Sequence, residues 1–429
     1  RYWNLIYKQQ KNILWPGLPE VLIISSASTG KPKLIPGTKE YLNNFAKSIL
    51  RVIFQYIYDT GDYSLLGGMF MNFTGSNKLK KFADYKVGPL SAVIKSLVQR
   101  YHDNSLPTQD VLELMNSKGW DVMFKHAARQ SVEYNITTCV GLPSWMMQYF
   151  NSCLEEFKAE NLNNILPALR LLITSGVSYK PYVEQFERLF NHQITVREFY
   201  GASEGFFAYS DDSQNDLLLD VTKNFYEFIE IDHSNNQSNS LRTCLAHVKL
   251  NRYYIIVIST CAGLWSYKMG DVIEFTSLNP FRIKVVGRTK HYISIQMEHV
   301  YSQHVESVIK EVNMDLALDI INFTVAPNDP SERQIPYHEW YIECKDSNSV
   351  DKDMLAKKLD SALSKYSSGY NNGRLRHSLA LPQVFFLKDG AFLQYLATKK
   401  SSSLQLKVPK VSNDRIIASF LIQKELVIK

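Results

Sequence analysis

The stretch from Leu171 to Phe199 limits the possible folds more than any other. Leu171 to Ile173 reads as an apolar strand and Thr174-Ser175-Gly176 as a turn. Pro181 opens a helix that lines up Val183, Phe186 and Phe190 on one face. Ile194 to Phe199 reads as a second strand. Two strands joined by a helix in about 30 residues pair in parallel through a right-handed crossover. Asn135 to Val140, followed by a helix over Ser144 to Lys158, repeats the pattern. So does the run V-L-I-I, Val21 to Ile24. Beyond its polar loop, Leu42, Phe45, Ile49, Ile53 and Ile57 recur at helical steps behind Lys39 and Glu40. The fold class is read as α/β with parallel-rich sheets.

From about Tyr253 the texture changes. Tyr253 to Thr260, Val272 to Phe275 and Arg282 to Val286 read as short strands, with a turn at Gly263, which predicts an antiparallel β-rich portion. Past Gly287-Arg288, a strand over His338 to Cys344, a helix over Met354 to Lys365 and a strand over Val384 to Leu387 predict a small α+β unit. The expected organisation is a large N-terminal domain, 1–287, and a small mobile C-terminal domain, 288–429. The chain opens on Arg1 and is expected to lack its natural start.

Composition excludes some classes. With 48 basic and 42 acidic residues, and no long Lys/Arg block, nothing points to nucleic acid. The longest uncharged run, Tyr134 to Leu154, is too polar to span a bilayer, so no membrane partner is expected. Five scattered cysteines without a C-x-x-C pair suit free thiols in a reducing, cytoplasmic setting. The histidines lack H-E-x-x-H spacing; His291, His299, His304 and His338 read as surface or satisfied core residues.

Four stretches carry chemistry. S-S-A-S-T-G-K-P-K, Ser25 to Lys33, gathers the hydroxyls of Ser25, Ser26, Ser28 and Thr29 with Gly30 and Lys33 after a buried strand. Backbone N–H groups, hydroxyls and a lysine suit phosphate oxygens, although the P-loop pattern is absent. Y-G-A-S-E-G, Tyr200 to Gly205, allows two readings. Ser203 fits a G-x-S-x-G hydrolase elbow, but an elbow needs a helix after it and the next residues show no helical period. Alternatively Glu204, at the carboxyl end of a strand, holds Mg²⁺. G-L-W-S-Y-K-M-G-D, Gly263 to Asp271, puts an aspartate at a turn between short strands, where it can cap the turn or accept from the vicinal hydroxyls of a ribose. G-R-T-K-H, Gly287 to His291, places Arg288 and Lys290 at the proposed boundary.

Each motif is common alone, but their order resembles that of the adenylate-forming enzymes: acyl-CoA synthetases, peptide-synthetase adenylation domains and luciferases. Further stretches resemble the auxin-responsive family of acyl-acid amido synthetases. They are K-P-K-L-I-P (Lys31 to Pro36), G-L-P-S-W-M (Gly141 to Met146), T-S-G-V with Y-K-P-Y (Thr174 to Tyr182), N-F-Y-E-F-I (Asn224 to Ile229), H-E-W-Y-I-E (His338 to Glu343) and Q-L-K-V-P-K-V-S-N-D (Gln405 to Asp414). The chain is similar to that family over essentially its whole length, with the family's first segment expected to be missing.

The resemblance implies an adenylate-forming fold and an ATP- and Mg²⁺-dependent ligase. Such an enzyme turns a small carboxylic acid into an acyl-AMP and passes the acyl group to an amine, an amino acid by family habit. It implies phosphate binding by Ser25, Ser26, Ser28, Thr29, Gly30 and Lys33. It also implies adenine contacts from Ser175-Gly176-Val177 and Tyr200-Gly201-Ala202, with Ser203 beside them. Glu204 would take the metal, Asp271 the ribose, Arg288 would lie near the nucleotide, and Lys407 would be the catalytic lysine of the small domain. Four departures from the family pattern, at Ala27, Ser266, Met297 and Ser403-Leu404, keep open a weak or inactive nucleotide-binding relative and an acyl-CoA-type ligase.

Overall fold

A computed structural model describes residues 2–428 except 26–32, 74–78, 99–104, 107–113, 115–119, 177–178, 180–181, 191, 193, 212–215, 232–240, 289–291, 294, 296–297, 299, 329–334, 346–349 and 399–406. A twelve-stranded sheet dominates it. Thr195–Ala202, Leu171–Ser175, Ile136–Gly141, Met69–Asn72 and Ser105–Leu106 lie side by side in that order, all parallel. From Gly205–Tyr209 onward, through Leu217–Leu219, Phe281–Arg288, Leu264–Leu278, Tyr253–Thr260 and Phe225–Glu230 to Arg242–Thr243, every pairing is antiparallel.

The parallel half is apolar because helices cover both faces. Leu171 and Ile173 pack with Tyr41, Leu42 and Phe45 of the helix Lys39–Thr60. Leu172 and Cys139, on the other face, pack with Trp145, Tyr149 and Phe150 of the helix Pro143–Phe157. Thr38 caps Lys39–Thr60 by accepting from the Tyr41 N–H, and Gly61 ends it in the left-handed conformation. The crossover expected over Leu171 to Phe199 is present, with Val183–Leu189 as its helix.

One expectation changes. The V-L-I-I strand does not run through its loop directly into a helix. Leu34–Gly37 first returns antiparallel to Val21–Ile24. Pro36 and Gly37 masked that strand, since both residue types are depleted from strands.

Beyond Arg288, a three-stranded sheet orders Ile320–Pro327, His338–Cys344 and Gln383–Leu387. The helices Ser302–Leu316 and Lys352–Tyr366 bury Trp340 and Ile342 on one face. Ala391–Ala397 and Ile416–Gln423 bury Tyr341 and Leu387 on the other. This unit docks on the crossover helix, where the buried Gln185 amide donates to the Ile320 carbonyl at 3.0 Å. Nearby, Lys345 donates to Asn151 of Pro143–Phe157 at 3.2 Å. Among the described residues no helix is long and apolar enough to cross a membrane.

Candidate active site

The twelve-stranded sheet changes from parallel to antiparallel at one hairpin, and Ser203-Glu204 is its turn. The carboxyl end of a parallel strand at a change of order is where ligands gather in open α/β sheets. Tyr41 fixes this turn from below, its buried hydroxyl donating to the Ser203 carbonyl at 2.8 Å. Ser203 is followed by the strand Gly205–Tyr209 rather than a helix, so the geometry of a nucleophile elbow is missing.

Asp271 and Arg288 are register partners on adjacent strands. Arg288 Nε donates to Asp271 Oδ1 at 2.7 Å, and the Tyr200 hydroxyl donates to Oδ2 at 2.6 Å. The Asp271 side chain is 5% exposed and that of Arg288 45%, so the carboxylate is locked while the guanidinium keeps an open face. Asp271 is not in a turn, as the sequence suggested, but inside the long strand Leu264–Leu278. Between Lys268 and Val272 that strand advances four positions while its neighbour advances two, from Val257 to Ile255. Gly270, at φ 83°, supplies the left-handed residue this bulge requires.

Tyr267, given no role from sequence, ties two expected site residues together. Lys33 Nζ donates to its hydroxyl at 3.0 Å, and the hydroxyl donates onward to Glu204 Oε1 at 3.4 Å. Strand spacing could not have signalled it, because the bulge between Lys268 and Val272 breaks the two-residue alternation between Tyr267 and Asp271. The bond to Tyr267 raises the Lys33 ammonium above its ordinary pKa. Burial raises the Glu204 carboxyl, Asp271 adds to that rise, and Arg288 and Lys33 oppose it.

Lys407 reaches the same place from the small unit. A Cβ built on Gly176, which has φ 85°, would lie 1.9 Å from Lys407 Nζ, so the ammonium occupies room that only glycine leaves. Loss of hydration pushes Lys407 down to about 8, with Arg288 adding to the fall and Asp271 opposing it. The side chain keeps contact with water. Its backbone belongs to the segment that bonds to Ile320–Pro327 through Lys410 carbonyl and Val325 N–H at 2.9 Å.

The structure thus brings together Lys33, Gly176, Tyr200, Glu204, Asp271, Arg288 and Lys407. Ser25 closes the base of the hydroxyl loop, its N–H donating to the Lys33 carbonyl at 2.8 Å and its Oγ accepting from the Lys33 N–H at 3.2 Å. Ser26, Ser28, Thr29 and Gly30 lie outside the described residues, as do Val177, Lys290 and His291. Ser175 ends the strand beside Gly176, and Gly201-Ala202 lead into the Glu204 turn. Of the departures, Ala27, Met297 and Ser403-Leu404 lie outside the described residues. Ser266 is bridged by a guanidinium from elsewhere, since Arg242 donates to Ser266 Oγ at 2.6 Å and to Glu227 at 3.2 Å.

His338 is a core residue paired with Glu298 at 2.9 Å. No group of three or more His, Cys, Asp or Glu gathers among the described residues. Of the two neighbouring carboxylates, Asp271 is engaged by Arg288 and Tyr200, so Glu204 is the donor that would hold Mg²⁺, with water and phosphate completing the shell.

Comparison with known proteins gives this geometry a family. The GH3 family N-terminal domain matches residues 4–112, its central domain 217–288 and its C-terminal domain 303–416. The indole-3-acetic acid-amido synthetase GH3.15 of Arabidopsis thaliana is 24% identical over 258 residues, covering 53% of this chain and 43% of the relative. The jasmonoyl–L-amino acid synthetase JAR4 of Nicotiana attenuata is 22% identical over 249 residues, covering 54% and 42%. The matches span less than half the length of these relatives. The solved AtGH3.15 acyl acid amido synthetase in complex with 2,4-DB superposes with a TM-score of 0.76 at 18% identity, covering all of this chain and 85% of the other. A 2-hydroxyisobutyryl-CoA ligase in the postadenylation state gives 0.61 at 13% identity, covering 94% and 76%. This chain shares its fold with both of these structures. Matched by all three domain models across more than half its length, this chain belongs to the GH3 family.

Proposed function

We propose that this chain is an ATP- and Mg²⁺-dependent ligase that adenylates a small carboxylic acid and passes the acyl group to an amino acid. One observation carries the reading: Lys33 is tied through Tyr267 to Glu204, Arg288 pairs with Asp271, and Lys407 reaches Gly176 at the end of the neighbouring strand. The names of the GH3 relatives support the amine as acceptor.

The chemistry explains the charges. A carboxylate attacking the α-phosphorus of a triphosphate meets like charge, and pyrophosphate must leave with more. Lys33, at the base of the hydroxyl loop, neutralises the β- and γ-phosphates together with Ser25, Ser26, Ser28, Thr29 and Gly30. Asp271 accepts from the ribose hydroxyls through lone pairs that Arg288 and Tyr200 leave open. Ser175-Gly176-Val177 and Tyr200-Gly201-Ala202, with Ser203 beside them, flank the adenine. Arg288 and Lys407 stabilise charge at the α-phosphate. Mg²⁺ held by Glu204 would supply electrostatic stabilisation of the leaving pyrophosphate. The amine then attacks the acyl carbon: a C–N bond forms, the anhydride C–O bond breaks, and AMP and a proton are released. A unit over 288–429, turning about 287–290, would withdraw Lys407 between the two steps.

Pyrophosphate exchange with a panel of carboxylic acids tests this reading. Acid-dependent exchange that Glu204→Ala abolishes is expected. No exchange and no ATP binding would remove the proposal, and ATP binding without exchange for any acid would leave a non-catalytic nucleotide-binding protein. Preference for CoA over every amine would move it to the acyl-CoA ligases.

A further inference from the structure

The Tyr267 hydroxyl meets Lys33 and Glu204 because its strand carries a second bulge just upstream. Thr260 pairs with Leu264 and Ile258 with Tyr267, so Leu264–Leu278 advances three positions there while Tyr253–Thr260 advances two. In unbroken register Ser266 would stand opposite Ile258, and Tyr267 opposite Val257. Successive side chains leave opposite faces of a strand, so that slip would turn the Tyr267 hydroxyl to the far side of the sheet.

The downstream bulge has Gly270 as its left-handed residue, but this one has Ser266, at φ 48°. A side chain is disfavoured in that conformation, and such a residue persists only where its surroundings hold it. Here the surroundings do so on every side. The Ser266 N–H donates to Ser259 Oγ at 2.9 Å, and the Ser266 hydroxyl donates to Glu227 Oε2 at 2.6 Å. One Arg242 nitrogen donates to the same hydroxyl oxygen at 2.6 Å, and to the two Glu227 oxygens at 3.3 and 3.2 Å. Bonds to charged groups are the stronger kind, and this hydroxyl has one on its donor side and one on its acceptor side. Arg242 reaches in from the edge strand Arg242–Thr243, across Phe225–Glu230 and Tyr253–Thr260.

We propose that Arg242 and Glu227 clamp Ser266 in its left-handed conformation and so keep the Tyr267 hydroxyl on Lys33 and Glu204, which makes Arg242 a positioning residue for the nucleotide site. The clamp rests on the ligase reading for its consequence in catalysis, but nucleotide binding reads it without turnover.

A double-mutant cycle between Arg242→Ala and Tyr267→Phe tests it, read as ATP affinity by isothermal titration and as the rate of pyrophosphate exchange. Each single variant is expected to weaken both by about fivefold, the loss of one working hydrogen bond. Together they should cost no more than Tyr267→Phe alone, to within about twofold, because Arg242 acts through that hydroxyl. Ser266→Gly supplies the rescue. Glycine adopts the left-handed turn without help, so adding Ser266→Gly to Arg242→Ala should regain most of the loss. Single effects that multiply in the cycle, or no recovery with Ser266→Gly, overturn the clamp and make Arg242 a charge acting on ATP from a distance. ATP affinity and exchange both unchanged in Arg242→Ala overturn it as well. Acid-dependent exchange with a multiplicative cycle would keep the ligase and discard the clamp. A coupled cycle in ATP affinity, without exchange for any acid, would keep the clamp and discard the ligase.

Discussion

Asp271 and Lys407 act on each other but are held in opposite ways. Asp271, on the large-domain wall, already has two donors, and Glu204 beside it is tied through Tyr267 to Lys33. On the small-domain wall, Lys407 is pushed down to about 8 and Glu343 up to about 7, both chiefly by loss of hydration. The first wall is preorganised, so its charges are aimed before any ligand arrives and cost little to reorganise. The second wall carries charges near their tipping points, which a ligand or a modest change of pH can tip. Receiving a polyphosphate suits the first wall; docking, reacting and withdrawing suits the second.

Removing charge from the first wall should do most damage. Glu204→Ala is expected to lower exchange at least a hundredfold, about 3 kcal/mol of barrier, with the melting temperature little changed. A drop smaller than fivefold would mean that the preorganised wall is not where pyrophosphate leaves.

Lys407 offers a sharper contrast. With its pKa depressed, the working ammonium disappears as pH rises through about 8, so exchange should fall on that alkaline limb. Lys407→Arg, which stays charged, should keep more activity than Lys407→Ala and move the limb upward. An unmoved limb in Lys407→Arg would assign the titration to another group.

Asp271→Asn should raise the KM for ATP about tenfold, since it weakens the ribose contact and loosens Arg288. Tyr200→Phe, which removes one donor to the same carboxylate, should cost less. The reverse order in steady-state kinetics would show that Tyr200 positions the site more than the ion pair does.

Stability should distinguish the walls more gently. Glu343 has its folded pKa raised to about 7, so the folded chain holds that proton more tightly than the unfolded chain. Its contribution is full below the ordinary glutamate range and fades as pH rises through about 7. Melting temperatures measured from pH 5 to 8 should decline, and Glu343→Gln should flatten the slope. At the small end, Gly176→Ala should cost about 1 kcal/mol for the left-handed backbone and displace the tip of Lys407, lowering exchange a few-fold.

The parallel half was legible because its strands are continuous apolar runs covered on both faces, and its helices show clean three- and four-residue spacing. Leu34–Gly37 hid behind Pro36 and Gly37, and the full length of Leu264–Leu278 behind Gly270 and its bulge. Motif order singled out Glu204 and Asp271, and the structure sets the two carboxylates near each other. Tyr267 was not singled out, since a tyrosine inside a motif looks like packing until its hydroxyl is seen between Lys33 and Glu204. The meeting of Gly176 with Lys407 is a tertiary event that no local pattern encodes.

That meeting gives the molecule a built-in gauge. The tip of one lysine fills the vacancy left by a missing methyl on the opposite lobe. Its amine, open to water while the lobes touch, should react with acylating reagents at a different rate once they part. Mass spectrometry of peptides labelled with and without nucleotide would then read the poise of the whole chain from a single nitrogen.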